Sequence, residues 1–318
     1  RIVMIDKRKF IHAIFVIALP VIVAVYGISI FGAIALVLLA LLWRWAISVA
    51  GIVAPPKVPE LELETIGISH FAEKVRWCLD KLGIDYAEKP MGGIVGVLFT
   101  GRSVPRLMIR TGIVRSSIGN SPEILRYLWG RYAVACGTDA DFLQPTEDRL
   151  AMEQRLDRYG VNLQVWVYHH ILADRDLALS AWGANDPRVP AWQRALLPII
   201  FPVSRAFLTK AFRLNEAHYN NAVGHIESLL GEIESQLDDG RRSILGGEET
   251  DFVDITFAAL STVWIRPENF ARGAAPRLLP EDASFPMQMA VDIERWSDAY
   301  PLAKAFIERL YREERMPG

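Results

Sequence analysis

The sequence predicts a chain in three parts: an apolar helical segment of membrane-spanning character, an α/β domain, and an all-helical domain. Three observations carry this. No Asp, Glu, Lys or Arg occurs between Phe10 and Trp43, a strand, a helix and a second strand follow one another within residues 61–86, and from Thr146 onward apolar residues recur with the helical period. The 318 residues suffice for one large or two ordinary domains. A composition of 51% hydrophobic and 23% charged residues, with a mean hydropathy of +0.18, excludes a disordered polymer.

The net charge of −2 hides an uneven distribution. Residues 1–57 hold Arg1, Lys7, Arg8, Lys9, Arg44 and Lys57 against Asp6 alone, leaving 29 of the 35 basic and 36 of the 37 acidic residues downstream. An acidic folded part argues against a nucleic-acid partner, which needs a basic surface. Cys78 and Cys136 are too few for a disulfide framework and match no metal-ligand spacing, so no metal is expected and a reducing compartment is the simplest reading.

The run Phe10–Leu42 is longer than the apolar core of about 7–15 residues in a signal peptide. As one straight helix it would measure about 50 Å against a hydrocarbon core of about 30 Å. Pro20 or Gly27-Ile28-Ser29 must interrupt it. The pattern predicts a transmembrane helical hairpin within residues 1–53, with arms of about 10–26 and 30–53, and the alternative is a single tilted or kinked span. A hairpin puts Lys7-Arg8-Lys9 and Arg44/Lys57 on one face, as the positive-inside rule favours. That places the chain in an inner or plasma membrane, in contact with the lipid bilayer, with its remaining domains on the cytoplasmic side. Residues 54–60, with Pro55, Pro56 and Pro59, read as an extended linker.

Leu61–Ile66 alternates at period two, as a strand does. Ser69 then precedes a helix whose Phe71, Val75, Cys78, Leu79 and Leu82 share a face, with Gly83 as its stop signal. Ile84-Asp85-Tyr86 resumes an extended pattern.

These residues carry a resemblance. Ser69-His70-Phe71-Ala72-Glu73-Lys74-Val75-Arg76-Trp77 followed by Lys81–Tyr86 resembles the opening of the glutathione S-transferase family, whose first domain is thioredoxin-like. Ser103-Val104-Pro105-Arg106-Leu107 resembles the family's loop before its third strand, where the proline is cis. Gly119–Leu128 resembles its helix start of an acidic or amide residue plus Ser, and Asp251–Ala258 resembles the capping box of its helical second domain. The resemblance spans residues 61–314 and divides them into a thioredoxin-like glutathione-binding domain at 61–134 and an all-helical domain at 145–314. It does not cover the first 57 residues, so it points to a membrane-anchored, bacterial-type member. The family's membrane-anchored prostaglandin synthase type has a comparable layout, but its Cys-x-x-Cys is missing here.

What the resemblance implies is glutathione as co-substrate, conjugated to a small hydrophobic electrophile, and it leaves a homodimer open. Ser69 is the implied catalytic residue: at a helix N-terminus its hydroxyl would stabilise the thiolate, while on residue type alone Ser is a plain N-cap. His70 stands where the family often has Pro and is a candidate glutathione contact or an exposed polar residue. Val104, before Pro105, is implied to offer its backbone to the cysteinyl part of glutathione. Asn120 and Ser121 open the next helix with Pro122 as its first residue, and exposed N–H groups there suit the γ-glutamyl carboxylate. Asn120 replaces the more usual Glu, Asp or Gln, with Glu123 as a nearby substitute. Ala72 occupies the place of a second cysteine, so dithiol chemistry is excluded.

Helical periodicity covers Glu147–Ala173, Leu214–Leu237, Phe252–Ile265 and, in pieces, Ser284–Tyr311. In the family the first of these helices borders the electrophile pocket, so Tyr159, Trp166 and His170 are the candidates there, beside the plainer reading of an aromatic core stripe. Asp251 and Asp254 form an N-terminal cap. The insert Pro190–Arg213 is apolar and basic, suited to the helical core or to a membrane surface. The alternative to an enzyme is a non-catalytic binding or assembly module that keeps the fold at the membrane.

Overall fold

The computed structural model describes residues 30–53, 58–95, 104–112, 114–273 and 285–315. The chain divides into two compact units, one made of the residues up to Glu60 with Ile109–Ser116, the other of Leu61–Met108 with Ser117–Gly318.

The first unit carries helix α1, Ile30–Val53, which coincides with the second arm of the expected hairpin. Ile34, Val37, Leu38, Leu41, Leu42 and Trp45 are each more than half exposed, so apolar surface runs round this helix rather than along one buried stripe. The first arm, residues 10–26, together with Pro20, Gly27-Ile28-Ser29 and linker residues 54–57, lies outside the described residues. Among the described residues no transmembrane hairpin is found, and no single helix is long and apolar enough to cross a membrane. One pair, Ala191–Ala211 with Glu216–Leu237, passes in combined composition but is bent by 67°, and its second helix buries Tyr219, Ile226, Leu230 and Ile233.

The sheet has four strands, β1 Glu60–Thr65, β2 Ala87–Pro90, β3 Arg106–Thr111 and β4 Val114–Gly119, in the order β2-β1-β3-β4. β1 and β2 are parallel, with Glu62 opposite Ala87 and Thr65 opposite Pro90. Between them runs α2, His70–Lys81. The second strand corrects the expectation of Ile84–Tyr86. Asp85 is exposed, the Tyr86 ring sits under the Arg272 guanidinium at 4.6 Å, and the ladder starts at Ala87. Ala87-Glu88-Lys89-Pro90 has no apolar alternation; what holds it is the backbone ladder and the Glu88 carboxylate, which accepts from Arg76 Nε at 2.9 Å and Thr65 Oγ1 at 2.8 Å.

α2 departs from the expected one-sided helix. His70 and every residue from Ala72 to Leu79 are buried, including Glu73, Lys74 and Arg76. Each charge therefore needs a partner, since a buried charge left unpaired costs several kcal/mol. Lys74 Nζ donates to Glu153 at 2.7 Å, Arg76 Nη1 to Glu73 at 3.1 Å, and Arg315 Nε to Glu73 at 2.8 Å. Arg76 also donates to Gly67 O at 2.7 Å, which ties the helix to the end of β1. Arg76 also holds the Glu88 carboxyl below its ordinary range: burial pulls it upward, and the guanidinium, with help from Thr65 and Arg188, more than offsets that.

After the sheet come α3 Ser121–Cys136, a 3-10 segment Gly137–Leu143, and the helices α4 Glu147–Ile171, α5 Arg175–Ala181, α6 Ala191–Ala211, α7 Glu216–Leu237, α8 Phe252–Leu260, α9 Thr262–Ile265, α10 Met287–Ala299 and α11 Pro301–Glu313. α8 is buried at every position and packs on α2, α4 and α11. It starts with the capping box expected from the sequence: Asp251 accepts from Val253 N at 2.7 Å, and Asp254 accepts from Asp251 N at 3.0 Å. α2, α4 and α11 therefore meet on a helix with no solvent face.

α4 comes close to Phe71 of α2 and to Leu260 at Gly160. A Cβ there would lie 2.8 Å from Phe71 Cζ and 3.0 Å from Leu260 Cδ2. Gly160→Ala gains about 1 kcal/mol of helix propensity but overpacks this crossing by about 1–3 kcal/mol. A net loss of about 1 kcal/mol is expected in urea unfolding, and a more stable variant would contradict the close approach.

Candidate functional site

At the N-terminus of α2 a cavity of about 850 Å³ opens between the sheet end and the helical region. Four segments supply its polar groups: Ser69-His70 at the helix start, Val104-Pro105 before β3, Asn120-Ser121 before and at the start of α3, and Asp157 with Gln164 on α4. Ile68, Phe71, Val161, Tyr168, Ile171 and Phe207 supply apolar wall. A largely apolar cleft of this volume with a few convergent polar groups is the usual form of a small-molecule site.

Ser69 caps α2 from extended backbone, its Oγ accepting the Ala72 N–H at 3.3 Å. Accepting that bond leaves the hydroxyl hydrogen available to donate into the cavity. The helix N-terminus behind it favours negative charge. Val104-Pro105 is a cis peptide, as the resemblance implied, with Pro105 buried and Val104 half-buried. Ser103 lies outside the described residues.

Asn120 and Ser121 differ from a plain side-chain cap. Asn120 sits at φ +72°, ψ 130°, in a region L residues rarely adopt, and its side chain makes no capping bond. It is exposed, whereas Ser121 is buried and its Oγ has no hydrogen-bond partner among the described residues. A buried hydroxyl without a partner costs about 1–3 kcal/mol, so its place on a cavity wall is informative. Pro122 follows in the first turn of α3, and Glu123 is exposed and stands apart from the cavity lining.

His70 lines the cavity but is not an exposed polar residue. Its Nε2 lies 3.3 Å from Gly160 O, its ring is 7% exposed, and burial pushes its pKa down to about 4, against which the Gly160 bond acts only partly. At neutral pH the imidazole is uncharged and Nε2–H donates to the α4 carbonyl, strapping the start of α2 to α4.

The three electrophile-pocket candidates are corrected. Tyr159, Trp166 and His170 do not line the cavity; they face the core. Tyr159 OH bonds Ser261 Oγ at 2.9 Å and accepts from Trp264 Nε1 at 3.0 Å. Trp166 Nε1 and Tyr219 OH donate to Asp292 Oδ2 at 2.9 and 2.6 Å, and His170 lies 3.7 Å from the same carboxylate. This is a buried hub joining α4, α7 and α10. The cavity wall is the opposite face of α4, Asp157, Val161, Gln164 and Tyr168, spaced by four, three and four residues. That heptad spacing was present in the sequence, but its polar and aliphatic members are overshadowed by the bulkier stripe a half-turn away.

Asp157 is the charged group of that face. Burial raises its carboxyl pKa against the pull of Lys74, whose Nζ is 3.7 Å away. Cys78 lies inside α2 with its thiol pushed up to about 12 by burial, so it is no nucleophile. Among the described residues no cluster of His, Cys, Asp or Glu could hold a metal ion. A second depression, of about 960 Å³, lies at the C-terminal end of α2; its walls are charged, and Lys81 there is already paired with Glu314 at 2.9 Å.

No protein-family model matches the sequence, and no curated protein matches it. Among solved structures the chain is similar to a glutathione S-transferase from Methylobacterium radiotolerans in complex with glutathione sulfonate, at 17% identity and a TM-score of 0.46 over 80% of this chain and 91% of that one. It is similar to a theta class glutathione S-transferase from Xanthomonas axonopodis pv. citri with glutathione bound, at 16% identity and a TM-score of 0.43 over 82% and 99%. A third is a maleylacetoacetate isomerase from Anaeromyxobacter dehalogenans, at 17% identity and a TM-score of 0.39 over 82% and 96%.

The strap at His70 sets a pH dependence. Folded His70 stays neutral down to about pH 4 while an unfolded histidine protonates near 6.5, so between these values the unfolded state binds more protons and stability falls as pH drops. His70→Gln keeps a donor for Gly160 O and removes the titration. Between pH 7 and pH 5 the wild type is expected to lose about 2 kcal/mol more than the variant in denaturant titrations. Equal losses would place His70 in a hydrated, freely titrating setting.

Proposed function

We propose that the chain is a membrane-anchored glutathione S-transferase-like enzyme that attaches glutathione to hydrophobic electrophiles. The observation that carries this reading is the partnerless buried hydroxyl of Ser121 on the wall of the same cavity into which Ser69 and the N-terminus of α2 open. A ligand with a carboxylate at one end and a thiol one residue further along suits both places. The γ-glutamyl carboxylate bonds Ser121 Oγ and the first N–H groups of α3, and the backbone at Val104 pairs with the cysteinyl unit.

The thiol then lies at Ser69. Its proton leaves to solvent as the Ser69 hydroxyl donates to the sulfur and the α2 terminus stabilises the anion. The thiolate attacks the electrophilic carbon; a carbon–sulfur bond forms and the bond to the leaving group, or one π bond of an activated alkene, breaks. The apolar wall made by Val161, Tyr168 and Phe207 suits a hydrophobic electrophile better than an ionic one. Anchoring is supported by the apolar surface of α1, which water would penalise on every side.

Ser121→Ala separates ligand binding from folding. Without ligand the variant is expected to be as stable as the wild type or about 1 kcal/mol more stable, because a partnerless buried hydroxyl is removed. Glutathione affinity, measured by isothermal titration of the full chain in detergent, should fall about tenfold to a hundredfold, as for loss of a bond to a charged group worth about 1.5–3 kcal/mol. Unchanged affinity would remove glutathione from this place.

Ser69→Ala tests the chemistry. A thiol pKa raised by one unit corresponds to about 1.4 kcal/mol. Turnover at neutral pH should drop severalfold with most of the affinity kept, and the deficit should shrink as pH rises and the thiol ionises unaided. If the wild type binds glutathione without lowering its thiol pKa, the cavity serves a binding module rather than an enzyme.

A further inference from the structure

α6 is apolar on two opposite faces, one buried in the fold and the other largely exposed. Leu197, Phe201 and Leu208 are buried against Ile94, Leu179 and Trp182. On the other side Trp192, Ile199, Val203 and Phe207, at i, i+7, i+11 and i+15, are 52%, 74%, 74% and 58% exposed. At 1.5 Å per residue this stripe runs for about 22 Å along the surface. A helix with apolar residues all round belongs in a large core or against lipid.

The charge around the stripe gives the second observation. Between Asp186 and Glu216 the chain has no acidic residue and carries Arg188, Arg194, Arg205, Lys210 and Arg213, although acidic residues outnumber basic ones from residue 58 onward. Arg205, Lys210 and Arg213 are exposed and make no ion pair among the described residues. An amphiphilic helix with a tryptophan at one end, an apolar stripe and unneutralised cations matches a bilayer interface bearing anionic headgroups. Phe207 belongs both to this stripe and to the cavity wall, and Leu208 and Ala211 extend that wall.

We infer that α6 lies in the surface of an anionic bilayer, with Trp192, Ile199, Val203 and Phe207 immersed, and that the cavity opens beside Phe207 onto that interface. The contact is monotopic and separate in sequence from the N-terminal apolar segment. Its consequence for substrate choice rests on the proposed transferase reading: the second substrate enters from the bilayer, so it is an electrophile that partitions into lipid.

The test uses the full chain in vesicles. Nitroxides are placed by Ile199→Cys and Val203→Cys in a Cys136→Ser background, where buried Cys78 does not label, with Val134→Cys, 99% exposed, as the aqueous reference. In vesicles of phosphatidylcholine with phosphatidylglycerol, the oxygen-to-nickel-chelate accessibility ratio at 199 and 203 should exceed that at 134 severalfold, and Arg205→Glu with Lys210→Glu should reduce it. A ratio equal to that at 134 overturns the inference. So does dipolar broadening between labels on different chains, which marks a second copy on this face, and a ratio unaffected by removing phosphatidylglycerol, which overturns the anionic assignment. Glutathione titration of the same samples separates the two readings: immersed labels without glutathione binding leave the docking standing and the transferase reading fallen.

Discussion

α2 is surrounded by protein on nearly every side and yet carries Glu73, Lys74 and Arg76 within four positions, so its place in the fold depends on cations and carboxylates brought from elsewhere. Glu88 from β2, Glu153 from α4 and Arg315 beyond α11 supply them. Each pair is a tether as well as a neutraliser. The N-terminal end of the same helix forms the floor of the cavity, so a helix buried for its own electrostatic reasons presents its positive end and Ser69 in a fixed position. His70 completes the arrangement by bonding the carbonyl of Gly160 on α4, where the missing side chain makes room for Phe71.

α4 serves two environments with one period. Its Tyr159, Trp166 and His170 close the helical core through Ser261, Trp264 and Asp292, while Asp157, Val161, Gln164 and Tyr168 face the cavity. The hub at Asp292 and the cavity wall thus share one helix. The same division appears in α6, whose inner stripe packs on Ile94, Leu179 and Trp182 while its outer stripe is more than half exposed.

Much of this was legible in the residues. Ser69 before a helical face, Gly83 after it and the Asp251/Asp254 box declare their ends through backbone chemistry that is local, and the structure places them as read. The β2 position was not legible because Ala87–Pro90 is held by a long-range carboxylate–guanidinium pair and not by alternation. The burial of Glu73 and Arg76 was hidden for the same reason: a charge is assigned to solvent until its partner, far away in sequence, is known. On α4 the error was of a different kind, since the bulkiest aromatic stripe marks the core, and a ligand-facing stripe is smaller and more polar.

The pair between Glu73 and Arg315 bridges 242 positions of sequence. Arg315 sits against both Glu73 and Asp80, two carboxylates seven residues apart on α2. Without it Glu73 would keep Arg76 and Asp80 would keep Arg272, leaving the two carboxylates with fewer cations than they recruit now in a medium of low dielectric. The seating of α2 therefore depends on the segment after α11, far from it in sequence. Sheet and helical region are thus tied through one helix, and removing the Arg315 guanidinium would loosen the helix at whose head the cavity lies.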